Sequence, residues 1–311
     1  MKFTDILDAI GHTPLVELPR LSPKRGVRIF AKLEGNNPTG SLKDRIALYM
    51  IRRAEENGEL TRDKTILEPT SGNTGISLAM IGQRKGYRVK VVMPESVSPE
   101  RVELLQLYGA EIVFSEGAGG TNRAIEVAQE MAERDGQYYM PYQYGNEANP
   151  LAHYQTTAQE ILDDLPQIDA FVAGLGTGGT LMGVGRRLKE HNPQTKVIAV
   201  VPHPGDRIMG LRSLEEGFIP PILDLNLLDG RIVVDSKQAF LATRELTKRE
   251  GLFAGISSGS VIVCAQRVAR QMEEGNIVAL LADGGWKYLS THLWTRAPEE
   301  MEKDIDSLIW W

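Results

Sequence analysis

Alternation of strand and helix is the feature that most constrains the fold of this chain. Short runs rich in β-branched residues recur along it, separated by amphipathic stretches of helical length. The seven predicted strands lie at residues 27–33, 65–67, 89–93, 112–114, 170–173, 197–201 and 277–281. Parallel strands need long crossover connections, and helices usually supply them. The pattern therefore predicts an α/β protein whose largely parallel sheets are covered by helices.

Size and charge exclude several classes of function. The chain has 311 residues, 42% hydrophobic and 24% charged, which suits a globular protein of up to two domains. A net charge of -6 argues against a nucleic-acid or anionic-membrane partner. We see no signal peptide or membrane-length apolar run, and the five histidines are too scattered for a metal site. The single cysteine, Cys264, precludes an intrachain disulfide, so we expect a cytoplasmic protein.

Lys43 stands at a predicted helix start, behind a turn made by Pro38, Thr39 and Gly40. Apolar residues then recur every four positions at 46, 50 and 54, which indicates a helix with one buried face. We expect Ser41 to be the N-cap, with Asp44 completing a capping box. A lone lysine is more often a solvated surface group. Lys43 therefore becomes a candidate site residue only in combination with the motifs described next.

With the turn before Lys43 counted as the first loop, two loops rich in glycine and hydroxyl groups follow predicted strands and open predicted helices. We call residues 70–75 the second loop and residues 176–180 the third loop. Backbone N–H groups at such positions bind anions, although either loop alone could be an ordinary turn. One amine and two anion-binding loops would together hold an aldehyde cofactor that carries a phosphate. This combination suggests pyridoxal phosphate as a chemical hypothesis.

Residues 174–179 also match the dinucleotide pattern G-x-G-x-x-G. In a dinucleotide site the next strand should end in an acidic residue that binds the ribose. Here that strand runs into Pro202, His203 and Pro204. We therefore disfavour a nicotinamide cofactor and interpret the loop as a site for one phosphate monoester.

Five segments then resemble the cysteine synthases, which are fold-type II pyridoxal-phosphate enzymes with a tryptophan-synthase-β-like fold. They are residues 11–15, 32–34, 37–45, 68–75 and 255–259, and they occur in the family's order. Residues 141–146 and 283–290 look closest to the B-type enzymes and, among them, to O-phosphoserine sulfhydrylase. Glycine, asparagine and proline cluster at 145–150, which predicts a domain seam. We expect a smaller, mobile domain at 36–150 and a larger one formed by 1–35 and 151–311.

The resemblance implies a role for each matched position. Lys43 would form the Schiff base with pyridoxal 5'-phosphate and later remove the substrate α-proton. Asn73 would bind the cofactor's 3'-oxygen, and Ser257 would face its pyridine nitrogen. The phosphate would lie on Gly176, Thr177, Gly178, Gly179 and Thr180. The substrate carboxylate would be held by Thr70, Ser71, Asn73, Thr74 and Gln143.

The implied reaction is β-replacement on an activated serine through an aminoacrylate, giving cysteine. Arg212 matches the subgroup that uses O-phosphoserine, where a guanidinium binds the leaving phosphate; O-acetylserine stays an alternative. The sulfur donor would be sulfide or a small carrier protein's thiocarboxylate, and we expect a homodimer. The tail Ile309, Trp310 and Trp311 would plug the active-site cleft or pack elsewhere.

Competing interpretations are serine or threonine deamination and cystathionine formation on the same fold. A catalytically dead regulatory module is a further alternative of another class. Retention of Lys43, Asn73 and Ser257 speaks against that last interpretation.

Overall fold

Two separate β-sheets organise the protein in a computed structural model that describes residues 1–296. The tail residues 309–311 therefore lie outside the described residues. The strands are β1 Leu15–Glu17, β2 Val27–Leu33, β3 Thr65–Pro69, β4 Arg88–Pro94, β5 Glu111–Ser115, β6 Tyr138–Tyr139, β7 Ala170–Gly174, β8 Lys196–Pro202, β9 Gly230–Val234 and β10 Gly275–Leu281.

The helices fill the connections between these strands. They are α1 Lys43–Glu56, α2 Asn73–Lys85, α3 Pro99–Leu107, α4 Gly120–Arg134, α5 Ala148–Ala152, α6 Ala158–Asp164, α7 Gly179–His191, α8 Ser236–Glu250 and α9 Ile256–Gln271. A π-helical turn, His153–Thr157, joins α5 to α6, and a 3₁₀ segment, Gly285–Thr291, follows β10. No helix within residues 1–296 is long and apolar enough to cross a membrane.

Both sheets are dominated by parallel pairing. The larger sheet has the order β1-β2-β10-β7-β8-β9, and only the β1–β2 pair is antiparallel. The smaller sheet has the order β5-β4-β3-β6 and is wholly parallel. This confirms the α/β prediction and all seven predicted strands. Three short or half-exposed strands, β1, β6 and β9, were missed because their apolar patterns are weak.

Apolar packing covers both faces of each sheet. The larger sheet carries one core towards α8 and α9, containing Phe240 and Ile262, and another towards α6 and α7, containing Ile161 and Leu181. Since the smaller sheet spans 65–139 in sequence, it falls inside the proposed 36–150 domain. The domain boundaries themselves stay a prediction.

A buried set of charges joins the start of the chain to α1 and α6. We call it the Arg45 cluster: Thr13, Lys32, Glu34, Arg45 and Glu160. The Arg45 guanidinium binds both oxygens of Glu34, at 2.7 and 2.8 Å, and both oxygens of Glu160, at 2.7 Å. Lys32 Nζ donates to Glu160 Oε2 at 2.8 Å. Every charge in this cluster thus has a partner of opposite sign.

Candidate active site

Lys43 lies beyond the carboxyl end of β10, where ligands bind in open parallel sheets. The N–H of Leu42 donates to Ala282 O at 2.9 Å, and that of Gly284 donates to Gly40 O at 3.1 Å. These bonds fasten the residue 40–42 turn to the end of the strand. Helix α1 begins at Lys43 itself, so the lysine side chain is delivered to the pocket from the first helical turn.

The expected capping box at this helix start is wrong. Helix α1 has Leu42 at its N-cap position and no side-chain cap, although Ser41 Oγ accepts the Lys43 N–H at 3.3 Å. The buried carboxylate of Asp44 turns back to Thr39 instead, accepting its N–H at 2.7 Å and its hydroxyl proton. Ser77 on α2 donates to the same carboxylate at 2.5 Å. Asp44 therefore fixes the turn that presents Lys43 rather than capping the helix.

Two adjoining cavities bring the predicted site residues together. One is lined by the predicted cofactor set, including Lys43, Asn73, Thr180 and Ser257. The other is lined by the predicted substrate set, including Thr70, Ser71, Thr74, Gln143 and Arg212. The residues common to both include Lys43, Asn73, Gly176 and Thr177. Gly179 is the one predicted residue that lines neither cavity.

Gly179 supports the third loop from behind. A Cβ at this position would collide with the side-chain amide of Asn149, so only glycine fits. Gly178 has a φ of 90°, a left-handed conformation that glycine adopts without strain. The loop therefore approaches α5 closely and presents the first turn of α7 to the cavity.

Thr177 has its hydroxyl oriented by two donors. Its Oγ1 accepts from Asn149 Nδ2 at 3.0 Å and from the Gly179 N–H at 3.3 Å. A hydroxyl that accepts two bonds keeps its proton free to donate, here towards the cavity. The sequence analysis missed Asn149, because this residue lies in segment 145–150, whose glycine, asparagine and proline residues we interpreted as a domain seam.

His153 is a second missed residue, and it buttresses Thr180. Its Nε2 lies 3.2 Å from Thr180 Oγ1, and its Nδ1 lies 3.0 Å from Thr157 Oγ1. Burial lowers the pKa of His153 to about 3, so the ring is neutral at physiological pH. A neutral imidazole has one donor and one acceptor, which matches a hydroxyl on each side.

The second loop presents backbone donors to the substrate-side cavity. Helix α2 begins at Asn73 with no side-chain cap, so the N–H groups of its first turn have no intrahelical partners. Thr74 Oγ1 donates to Gln143 Oε1 at 2.7 Å, which ties the loop to the segment after β6. Such an array of N–H groups at a helix start favours a carboxylate.

Glu68, at the end of β3, holds that same segment in place. It is fully buried, and its carboxyl oxygens accept the N–H groups of Tyr142 and Gln143 at 2.8 and 3.0 Å. Burial raises the pKa of Glu68 to about 8, despite these hydrogen bonds and the nearby Lys43. The group is therefore largely protonated at neutral pH.

Asn73 is the centre of a second buried polar set. We call it the Asn73 cluster: Asn73, Asp283, Lys287 and Tyr288. Lys287 Nζ donates to Asn73 Oδ1 at 2.8 Å, and Asn73 Nδ2 donates to Asp283 Oδ2, also at 2.8 Å. Tyr288 donates to that same carboxylate oxygen at 2.7 Å. Asp283 Oδ1 is buried and has no hydrogen-bond partner among residues 1–296, so this cluster is not saturated.

Lys43 has the acid–base character of an activated amine. Burial lowers the pKa of Lys43 to about 8, while the carboxyl groups of Asp283 and Glu68 partly oppose the shift. An ordinary lysine has a pKa near 10.4. A substantial fraction of Lys43 is thus neutral close to physiological pH, as a nucleophile or general base requires.

Arg212 lies in the wall of the substrate-side cavity, in the region 202–221 that has little regular structure. Its guanidinium carbon lies 5.2 Å from the Tyr144 ring centroid and 4.7 Å from that of Phe218. Its Nη1 donates to Asn122 Oδ1, on the first turn of α4, at 2.8 Å. Two aromatic rings and a neutral amide therefore hold a buried cation against the cavity.

These residues fit a phosphorylated aldehyde. The amine is Lys43, Gly176 and Gly178 line the cavity without side chains, and Thr177 offers a free hydroxyl proton. Within residues 1–296 no group of three or more His, Cys, Asp or Glu side chains could hold a metal ion. Cys264 is buried and lines neither of the two cavities.

Comparison with known proteins agrees with this chemistry. The family model for pyridoxal-phosphate dependent enzymes matches residues 6–283. A cysteine synthase of Staphylococcus aureus is 42% identical over 301 residues, covering 94% of this chain and 97% of that protein.

Two solved structures share the whole architecture. The O-ureido-L-serine synthase structure gives a TM-score of 0.89 at 38% identity, covering 97% of this chain and 100% of that one. The O-acetylserine dependent cystathionine β-synthase of Helicobacter pylori gives 0.87 at 36% identity, with coverage of 93% and 98%.

The fold and the site thus define an enzyme that works with a phosphorylated aldehyde bound at a lysine. The chain belongs to the pyridoxal-phosphate dependent enzymes and, within fold type II, to the cysteine synthase family. Its cofactor is pyridoxal 5'-phosphate. The nicotinamide and binding-module alternatives are thereby set aside.

Proposed function

We propose that this enzyme makes cysteine by β-replacement on an activated serine, with O-phosphoserine preferred to O-acetylserine and sulfide as nucleophile. The proposal depends most on Arg212, a buried cation at the substrate-side cavity. Its relatives are named for related serine chemistry: cysteine synthase, O-ureido-L-serine synthase and an O-acetylserine dependent enzyme.

The cofactor would be held by residues of the first cavity. The backbone of Gly176 and Gly178, with the hydroxyls of Thr177 and Thr180, would bind its phosphate on the loop that Gly179 supports from behind. Asn73 would bind its 3'-oxygen. When bound, the cofactor supplies a ring that withdraws electrons from the substrate α-carbon. Ser257, on the first turn of α9, would offer the ring nitrogen a neutral hydroxyl. A neutral partner withdraws electrons less than a charged one, which favours elimination over transamination.

The substrate carboxylate would lie on the second loop. Asn73 and Thr74 offer first-turn N–H groups, and Ser71 lies in the loop just before the helix. Thr70 shapes the turn by accepting the Gly72 N–H at 2.9 Å. Thr74 donates its hydroxyl proton to Gln143 and so orients that amide. This anchoring would place the α-hydrogen near Lys43, whose Nζ removes it as a neutral amine.

Arg212 would bind the leaving group. Phosphate departs with more negative charge than acetate, and a guanidinium binds phosphate through two parallel N–H bonds. In this structure its polar partner Asn122 is a neutral amide, which does not compensate the positive charge. The aromatic rings of Tyr144 and Phe218 would keep the guanidinium in place while the phosphate leaves.

The discriminating experiment compares both substrates in the wild type and in Arg212→Ala. We expect kcat/KM with O-phosphoserine to fall by roughly 10- to 100-fold, the scale of a lost charged hydrogen bond. The change with O-acetylserine should be much smaller. Steady-state cysteine formation with saturating sulfide gives both values.

Arg134→Ala is the matched control, because it removes the same charge from a side chain that is 79% exposed. It should leave both substrates unaffected. Equal losses on both substrates in Arg212→Ala would remove the support for a phosphate site.

Cystathionine formation is the second candidate, favoured by the structural similarity to the Helicobacter pylori enzyme. Homocysteine as nucleophile would then replace sulfide efficiently. The two candidates separate when sulfide and homocysteine are compared at equal concentrations with the same activated serine. Release of ammonia without any nucleophile would instead indicate the deaminase alternative.

Three finer expectations accompany this proposal. A small carrier protein's thiocarboxylate is the alternative sulfur donor, and the same assay compares it with sulfide. We propose a homodimer, to be measured by light scattering after size exclusion, and a cytoplasmic location, to be checked by fractionation.

A further inference from the structure

Lys287 is a buried amine that the mechanism above does not use. Its side chain is fully inaccessible to solvent, yet burying an ammonium group is costly unless it is hydrogen-bonded. Its side-chain hydrogen bond runs to Asn73 Oδ1, at 2.8 Å. Asn73 is the residue proposed to bind the cofactor, so this hydrogen bond suggests that Lys287 orients Asn73.

The bonding rules determine how Asn73 must lie. In its protonated form Lys287 donates and never accepts, so the end of the amide that faces it has to be the oxygen. An ionised carboxylate accepts and never donates, so the end that faces Asp283 has to be the NH₂ group. Both contacts, at 2.8 Å each, demand the same orientation. The usual ambiguity between amide oxygen and nitrogen does not arise here.

The rest of the cluster keeps the acceptor in place. Tyr288 donates to Asp283 Oδ2 at 2.7 Å, the same oxygen that accepts from Asn73. The Asp283 backbone is also fixed, because its carbonyl accepts the Gly255 N–H at 2.9 Å. The main-chain oxygen of Lys287 accepts from Ser98 at 3.1 Å, just before α3. Both partners of the Asn73 amide are thus held by neighbouring elements.

We propose that Lys287 is a positioning residue for the cofactor: it orients the Asn73 amide so that the NH₂ group, not the oxygen, serves the cofactor's oxygen atom. This rests on the proposed role of Asn73. Since an NH₂ group has two protons and Asp283 takes one, the second stays available for that bond. Without Lys287 the amide can turn, and its oxygen would then oppose an electron-rich group.

The test measures cofactor affinity of the apoenzyme, by titration with pyridoxal 5'-phosphate, and the absorption spectrum of the bound cofactor. Lys287→Met keeps the side-chain length and removes the donor. We expect its affinity to fall about tenfold, the scale of one buried hydrogen bond, with a shifted absorption band. Lys287→Arg, which is again a pure donor, should recover most of the affinity, and Lys287→Gln, which can donate or accept, should recover less.

A double-mutant comparison distinguishes positioning from general stability. In an Asn73→Ala background, Lys287→Met should have almost no further effect on affinity, because its target is gone. Lys90→Met, a partly buried lysine bonded to Tyr138 and remote from both cavities, is the control and should change neither affinity nor spectrum. Thermal unfolding of each apoenzyme checks that the variants fold.

The outcomes separate the inference from the proposed role of Asn73. If Asn73→Ala leaves affinity and spectrum unchanged, the role of Asn73 is wrong and the inference falls with it. If Asn73→Ala weakens binding but Lys287→Met and Lys287→Gln do not, only the inference is overturned. Additive losses in the double variant would likewise overturn it. Should Lys287→Met fail to fold, the order of affinity Arg above Gln decides the question.

Discussion

The Arg45 cluster and the Asn73 cluster are both largely buried and polar, and each contains a lysine, yet they differ in how fully their polar groups are paired. In the Arg45 cluster two cations and two carboxylates pair with one another. Burial alone would raise the pKa of Glu160, but hydrogen bonds from Arg45 and Lys32 bring it down to about 2. This cluster is electrostatically closed.

The Asn73 cluster is open by contrast. One oxygen of Asp283 has no hydrogen-bond partner within the part of the chain that the structure describes. Burial lowers the pKa of Lys287 to about 8, because its contacts do not offset desolvation. Lys43 next to it behaves in the same way. Saturated networks hold a fold together, whereas unsaturated ones beside a cavity retain bonding capacity for a ligand. The Arg45 cluster is therefore expected to stabilise the fold, and the Asn73 cluster to serve the active site.

The largest expected effect concerns Lys43, which lies beside the Asn73 cluster. Lys43→Ala should lower kcat by at least about 10³-fold, since no other group replaces a positioned general base. Steady-state assay measures the loss, and thermal unfolding of the apoenzyme should show an intact fold. Lys85→Ala, a half-buried lysine paired with Glu55, is the control. Activity retained in Lys43→Ala would contradict the assignment of the site.

A substitution in the Arg45 cluster should instead lower the free energy of unfolding. Arg45→Met leaves Glu34 buried without its cation, at a cost of about 3–5 kcal/mol in unfolding free energy. Glu160 keeps its ion pair with Lys32. Arg28→Met breaks an exposed pair with Glu17 that water screens, so it should lower the free energy of unfolding far less. Denaturant unfolding of the apoenzymes measures both. Similar costs for the two arginines would show that the cluster is not a structural centre.

The smallest effect is a difference in pH dependence. The folded pKa of Glu68, about 8, lies above its unfolded value, so its stabilisation is complete below about pH 4.3 and disappears as pH rises through 8. Glu160 is opposite: its folded pKa is about 2, and its stabilisation is present above about pH 4.3 and disappears as pH falls through 2.

Replacing Glu68 or Glu160 with glutamine tests these opposite pH dependences of stability. Relative to the wild type, Glu68→Gln should gain stability as pH rises from 5 to 9, because the variant has no carboxyl to ionise in a buried place. Glu160→Gln should lose stability as pH rises from 2 to 5. Unfolding midpoints measured across pH test both, and parallel profiles for the two variants would contradict the contrast.

Local patterns predicted much of the fold and the site. Strand periodicity placed seven strands, and the spacing of Ile46, Met50 and Ala54 placed α1, because these signals depend on neighbours within a few residues. The glycine loops were recognisable for the same reason. The capping box failed although its spacing was right: Asp44 found Thr39 and Ser77, and tertiary partners outweighed the local cap.

The sequence alone determined that a lysine and two glycine-rich loops would stand at strand ends, since helix starts and turns follow from local sterics and hydrogen bonding. Only the tertiary structure decided which side chains meet there. Asn73 is 210 residues from Asp283 and 214 from Lys287, and Asn149 is 28 from Thr177. Contacts across such separations depend on how the two sheets pack, and no local pattern encodes that geometry.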